Sequence, residues 1–387
     1  MPFFNTLQSN SFVGFKKKRS AAGGGVSGKL FMWGSSINGN LGTGNDVTRS
    51  SPVQVGALTT WAKLSTGNSA LATQSDGTLW SWGGNAQGQL GQNNLTYRSS
   101  PVQIGVLTDW LTPEVGVNSV SFCIKTDGTL WAWGRNNYGG LGLGNTTNFS
   151  SPVQVGSSTT WSAISAGDMA LAVDNGKLFS WGSNQYGGLG LGDAVNRSSP
   201  VQIGNLQTWA TPSAGALAAL CVKTDGTLWS WGQAGSGQLG LGDRIRRSSP
   251  VQVGALTDWA SPAISKYSSL CVKTDGTLWS WGNNGHGELG LGYQATYPAA
   301  GSLVLSPKQV GALTSWVKPF SGSFFSGCVK NDGTLWAWGR NNNGQLGLGD
   351  IVSRSSPVQV GALTNWFIPV GSFTASTINS NGCLQTP

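Results

Sequence analysis

The sequence has one histidine, His286, and only 10% of its 387 residues are charged. These absences exclude much chemistry. Ser-His-Asp, Cys-His and His-x-x-x-His metal arrangements each need partners that a single histidine cannot supply. None of the five cysteines has Cys-x-x-Cys spacing. Four of them, Cys123, Cys221, Cys271 and Cys328, recur at one equivalent strand position, where two other copies carry Ala72 and Leu171. They read as small buried hydrophobes and form neither a disulfide framework nor a metal site. No apolar run approaches the roughly 18 residues of a membrane span. The basic cluster Lys16–Arg19 follows the weakly apolar Met1–Phe15 instead of preceding a longer apolar core, so a secretion signal is not expected. The expectation is a protein without catalytic residues, cofactor or metal.

Net charge is +8, but Lys16, Lys17, Lys18 and Arg19 supply four of the 23 basic residues, leaving 19 basic against 15 acidic, or +4. That is too mild for nucleic-acid binding by the whole body. The surface is expected to be polar and neutral, given the small charged fraction and the many Asn, Ser, Thr and Gln residues.

What the chain has instead is glycine, tryptophan and a period. A Trp-Gly pair opens at Trp33, Trp82, Trp133, Trp181, Trp231, Trp281 and Trp338, in steps of 49, 51, 48, 50, 50 and 57 residues. A fixed period of this size signals a propeller, solenoid or array. All 19 tryptophans belong to it: seven at the Trp-Gly position, five two residues earlier, and Trp61, Trp110, Trp161, Trp209, Trp259, Trp316 and Trp366. They are core residues, and none is left over for an aromatic ligand cage.

Each unit contains four short strands and no helical period. The unit around Trp231 shows the order. Its Trp-Gly and a glycine-spaced loop to Gly242 lead into Arg247-Ser248-Ser249-Pro250 and the short strand Val251-Gln252-Val253, whose proline suits an edge. Trp259 opens the next strand, Cys271-Val272-Lys273 the one after, and the double-tryptophan strand follows a tight turn. Asp-Gly or Asn-Gly pairs predict hairpins with positive φ at both central residues at Asp76-Gly77, Asp127-Gly128, Asn175-Gly176, Asp225-Gly226, Asp275-Gly276, Asp332-Gly333 and Asn381-Gly382. Alternation then places large residues opposite a small position held by Ser81, Ala132, Ser180, Ser230, Ser280 and Ala337, with Met32 in the first copy.

The first unit starts at its last strand, and the last unit lacks its Trp-x-Trp-Gly. These complementary deficits predict an all-β, seven-bladed propeller of four-stranded blades, closed by the N-terminal strand completing the C-terminal blade. Residues 29–387 form the propeller. Residues 1–28 read as a flexible anchoring tail, with apolar hooks at Pro2-Phe3-Phe4 and Phe12–Phe15 and a glycine-rich linker at Ala21–Gly28.

Three places are candidates for binding. Inside the fixed loop after each Trp-Gly, one position varies: Asn38, Gln87, Tyr138, Tyr186, Ser236, His286 and Asn343. Tyr138, Tyr186, His286 and Asn343, with Arg135 and Arg340 just after Trp-Gly, would share one rim and carry types enriched in binding hot spots. Arg49, Arg98, Arg197, Arg247 and Arg354, one per blade, form either a polyanion grip or local pairs with Asp46, Asp193, Asp243 and Asp350. The insertion Tyr293–Ser306 is either a partner loop or a tolerated surface excursion.

The recurring Trp-Gly-x-Asn-x-x-Gly-x-Leu-Gly-x-Gly, clearest at Asn136–Gly144, Asn184–Gly192 and Asn341–Gly349, is followed by Ser-Pro-Val-Gln-Val-Gly and resembles the regulator-of-chromosome-condensation repeat. The resemblance covers residues 29–387 and implies the same seven-bladed ring. Its founding member is a nucleotide-exchange factor for a small GTPase and binds chromatin, and other members are receptors and scaffolds. The nearly uniform repeats are similar to bacterial and phage versions. The expected function is therefore a structural or attachment module, with a bacteriophage virion protein (tail, fibre or capsid-associated) as the first reading. It would dock on other virion proteins through residues 1–28 and present the ring to a host-surface glycan or protein. The alternative is a cytoplasmic or nuclear regulator that acts on a small GTPase or binds chromatin.

Overall fold

The computed structural model describes residues 27–295, 302–367 and 380–386, which form seven four-stranded antiparallel sheets. Blade 1 sets the plan, with strands Trp61–Thr66, Ser69–Gln74, Leu79–Gly83 and Arg98–Gln103 side by side in that order. Blades 2 to 6 repeat it, opening at Trp110, Trp161, Trp209, Trp259 and Trp316. Opening strands of neighbouring blades touch one another, so they surround the axis and the Arg-Ser-Ser-Pro strand lies outermost. Proline is tolerated there because the pairing jumps: Ser81 faces Val102 but Gly83 faces Arg98, which leaves Pro101 in a bulge outside the ladder.

Cores lie between blades. Phe122, Leu130 and Leu141 of blade 2 pack with Trp161, Ala170 and Trp181 of blade 3, and equivalent clusters follow around the ring. The Trp-Gly tryptophans are fully buried, and each indole N–H donates to a backbone carbonyl in the loop of the preceding blade, over 2.7–3.1 Å in all seven cases. The small position opposite is more than a space filler. Ser81, Ser180, Ser230 and Ser280 are buried and donate to the carbonyls of Leu90, Leu189, Leu239 and Leu289.

Two turn expectations need correction. Only Asn175-Gly176 has positive φ at both residues, 47° and 76°. The Asp-Gly turns are three-residue loops instead, with Gly77 N–H on the Gln74 carbonyl, Gln74 N–H on the Thr78 carbonyl, and positive φ at the glycine alone. The aspartate's role explains the choice, because Asp76 Oδ1 accepts from both Thr78 N and Thr78 Oγ1, and that hydroxyl in turn accepts Trp80 Nε1. The second correction is that Asn381-Gly382 forms no turn. Both residues lie inside the strand Ser380–Gln385, opposite Trp33 and Met32. No hairpin is needed there, since the next strand, Lys29–Gly34, arrives from the other end of the chain.

The seventh blade is thus Trp366–Phe367, Ser380–Gln385, Lys29–Gly34 and Arg49–Gln54, as the sequence predicted. Gly28, read as the end of the linker, already exchanges two backbone hydrogen bonds with Trp61. The anchoring tail up to residue 26 and part of the Tyr293–Ser306 insertion, residues 296–301, lie outside the described residues.

Candidate functional site

The strand directions put two kinds of connection on one face: the short turn after each opening strand and the long loop after each Trp-Gly. Hydrogen bonds such as Arg135 N to the Ser119 carbonyl and Arg340 N to the Phe324 carbonyl tie them together. This is the top face. Five of its loops share a rigid frame because a buried asparagine bridges each of them, at Asn85, Asn136, Asn184, Asn284 and Asn341, while Ser36 and Ala234 hold that position in the other two. Asn136 Oδ1 accepts Leu141 N at 2.9 Å while its Nδ2 donates to the Asn145 carbonyl, and Asn184 and Asn341 repeat the arrangement. The fixed asparagine of the repeat is therefore structural. What differs between blades is the side chains carried on that frame.

The structure divides the rim candidates between two places. Tyr138 is 51% exposed and, with Arg135, lines a cleft of about 540 Å³ between blades 2 and 3. Tyr186 is half-buried on the next loop, and Asn343 directs its backbone N–H to Gln345 Oε1. His286 does not simply point to solvent; it packs edge-on against Phe324 with ring centroids 5.0 Å apart. Phe324 is also stacked on Tyr267 at 5.0 Å and 24°, and the Arg340 guanidinium sits over it at 5.6 Å. Lys266 Nζ lies 5.0 Å from the Tyr267 ring centroid. This half-buried aromatic and cationic cluster spans blades 5 and 6.

The arginine ring is mostly committed to its own loops. Arg197, Arg247 and Arg354 pair with Asp193, Asp243 and Asp350 at 2.5, 2.7 and 2.6 Å. Each also donates to a loop carbonyl, that of Val195, Ile245 or Val352. Blade 1 has Asn94 in place of the aspartate, and Arg98 reaches only the Tyr97 carbonyl, at 3.5 Å. Asp46 is taken up by Gly39 N–H, not by Arg49.

Three groups on the top face have shifted protonation. Burial pushes the Asp168 carboxyl up to about 6, against the pull of Lys266 and Arg135. Burial also pushes Glu288 up to about 7, although its carboxylate accepts the His286 N–H. Burial, aided by Arg340, lowers His286. Far from this face, burial pushes the Cys123 and Cys271 thiols up to about 12, in line with their reading as core residues. Among the described residues no three His, Cys, Asp or Glu side chains form a group that could hold a metal, and no helix is long and apolar enough to cross a membrane.

The profile of the regulator of chromosome condensation (RCC1) repeat matches residues 27–71, 76–120, 127–173, 175–222, 225–272, 275–329 and 332–372. The chain belongs to the RCC1 repeat family. Solved structures agree on the fold. Yeast RCC1 (Prp20) bound to Kap60 is 21% identical, with a TM-score of 0.81 over 100% of this chain and 95% of that one. Human WBSCR16 is 20% identical, with a TM-score of 0.80 over 93% of this chain and 99% of that one. Prp20p of Saccharomyces cerevisiae is 21% identical, with a TM-score of 0.78 over 94% of this chain and 92% of that one. No curated protein matches the chain by sequence.

Within the RCC1 frame, sequence reasoning missed Asp168, Lys266, Tyr267 and Phe324. All stand in the turns after the opening strands, where the repeat has no signature. A signal was available all the same. The same turns carry Asn68, Ser119 and Leu217 elsewhere, so a stacked aromatic pair in adjacent copies is a break in the pattern.

Proposed function

We propose that this RCC1-repeat protein is a non-catalytic docking propeller that binds a protein partner on its top face, centred on Tyr267 and Phe324. The observation that carries this reading is the stacked Tyr267–Phe324 pair, with His286, Arg340 and Lys266 packed on it, in a ring whose blades are otherwise close copies. Tyr and Arg are enriched in binding hot spots, and a tyrosine ring supplies large amphipathic contact area at low conformational cost. The yeast neighbours support a protein partner: Prp20p is described by its binding to Gsp1p and histones, and yeast RCC1 was solved with Kap60.

Two finer readings follow. In the first, residues 1–28 anchor the propeller to a larger assembly, a phage particle being the case expected from the tethered apolar hooks. In the second, which the yeast neighbours favour, the partner is a small GTPase and the protein is an intracellular regulator. Cross-linking mass spectrometry on the wild type and on Phe324→Ser/Arg340→Ser tests the proposal. Cross-links from the Tyr267 neighbourhood to one partner, lost in the folded variant, support it. Cross-links that map elsewhere, or persist in that variant, overturn it. A GTPase partner selects the regulator, and structural proteins of a purified particle select the anchor.

A further inference from the structure

We infer that the cleft between blades 2 and 3 on the top face is a glycan site that takes one or two neutral sugar rings. This inference does not rest on the docking reading, which concerns blades 5 and 6, although Lys266 of that cluster also acts on the Asp168 carboxyl. The cleft holds about 540 Å³, within the range of small-ligand sites. Its walls carry Arg135, Tyr138 and Asp168, with Asn118, Gln185 and Asn196 beside them.

Three features specify the ligand. First, Asp168 is half-buried, yet among the described residues no donor reaches its carboxylate. Its carboxylate borders the cleft as an acceptor without a donor among those residues, and hydroxyl groups of a ligand would supply that donor. Second, Arg135 lies close enough to act on Asp168 electrostatically, but the two form no ion pair. Opposite charges held apart across one cleft suit a molecule that both donates and accepts at short spacing, which is what adjacent hydroxyls on a sugar ring do. The amides of Asn118 and Gln185 extend the same pairing, since each offers a donor and an acceptor, and Asn196, whose Oδ1 accepts Asn184 N, adds an N–H donor. Third, the half-exposed ring of Tyr138 supplies a flat apolar wall, the surface on which the C–H face of a sugar packs.

Competing ligands fit less well. A phosphorylated molecule would bring two negative charges toward the Asp168 carboxylate, which Lys266 and Arg135 act on only from a distance and without an ion pair. An apolar ligand would strand the polar walls. The combination is also local: the position of Asp168 holds Asn68, Ser119, Leu217, Tyr267 or Phe324 in other blades, and that of Arg135 holds Gly84, Ser183, Gln233 or Asn283 in four of them.

The test is a glycan array carrying neutral mono- and oligosaccharides built from glucose, galactose, mannose, N-acetylglucosamine and N-acetylgalactosamine, followed by calorimetry with the sugars that bind. Wild-type protein should bind at least one. Asp168→Asn and Tyr138→Ala should each weaken that binding about tenfold or more, as expected for losing a charge-assisted hydrogen bond or a stacking wall. Tyr186→Ala, outside the cleft, should leave it unchanged, and all three variants should melt like wild type. Absence of binding across the array would overturn the inference, as would equal affinity in all variants. A protein ligand that needs Asp168 while no sugar binds would overturn it in favour of peptide recognition.

Discussion

Trp281 Nε1 donates to the Gln238 carbonyl over 2.8 Å, and that contact ties blade 5 to the loop of blade 4. The same relationship joins each pair of neighbours, so the tryptophan that ends one blade's third strand is also the clamp on the preceding blade.

Replacing the clamp tests its weight. Trp281 is fully buried, and Trp281→Ala should cost about 3–5 kcal/mol as a large-to-small core change. Trp281→Phe keeps much of the packing and removes one of the two hydrogen bonds on the Gln238 carbonyl, which Ser269 Oγ still donates to over 2.7 Å, for a smaller loss of about 0.5–1.5 kcal/mol. Urea denaturation measures both. A cost for the alanine variant below about 1 kcal/mol would contradict the clamp.

The glycine under each clamp gives a second comparison. A Cβ on Gly240, at φ +70°, would lie 2.8 Å from Trp281 Nε1, whereas one on Gly254, at φ +62°, would meet nothing within 4 Å. Both alanine variants carry the left-handed penalty of about 1–2 kcal/mol. Only Gly240→Ala adds overpacking, about 1–3 kcal/mol more. Equal melting temperatures for the two would show that the indole yields without cost.

Ring closure can be broken at one strand. Lys29–Gly34 pairs with Ser380–Gln385 along its whole length, so deleting residues 380–387 exposes the edge of that strand. Light scattering should report aggregation of the truncated protein, and a soluble monomer with an unchanged cooperative melt would argue against closure by shared strands.

Glu288 stands where Gln89, Gln238 and Gln345 stand in other blades. Like them it accepts the N–H two residues before it, His286 N at 2.7 Å. Its other oxygen is buried without a partner, while the matching amide of Gln238 donates to the Lys266 carbonyl. Glu288 therefore mimics glutamine when protonated. Its folded pKa, about 7, is raised from 4.5, so the folded state holds the proton more tightly and stability falls as pH rises from about 4.5 to 7. The full loss, on the order of 3 kcal/mol, is present above pH 7. Glu288→Gln should flatten that slope and raise the melting temperature most at pH 8, as read by calorimetry from pH 5 to 8. An equal effect at both ends would dismiss the mechanism.

The ring and its closure were legible because they depend on repetition: each Trp-Gly recurs in register, and the missing strands at the two ends complement one another. The three-residue Asp-Gly turns were not legible. Asp-Gly alone does not reveal that Thr78 will recruit the Asp76 carboxylate and hold that residue out of the left-handed region. Asn381-Gly382 misled for a related reason, since a local dipeptide cannot show that its strand partner comes from the far end of the chain. On the top face, Tyr138 and Arg135 were found because they vary inside a fixed motif. Asp168, Tyr267 and Phe324 were missed because their turns carry no motif against which variation can be seen.

The shared seventh blade also has a bearing on how the chain reaches its fold. Asn40 Nδ2 and Ser380 Oγ are 340 residues apart in sequence and hydrogen-bonded in space, whereas blades 1 to 6 each draw on one continuous stretch. Loop-closure entropy makes such distant pairing slow relative to local hairpins. During synthesis Lys29–Gly34 has only Arg49–Gln54 beside it until nearly the whole chain has been made. A circular permutant that joins residue 386 to residue 27 and opens at the connector near Gly56 would turn the slowest pairing into a local one, so its refolding should be faster even where its final stability is the same.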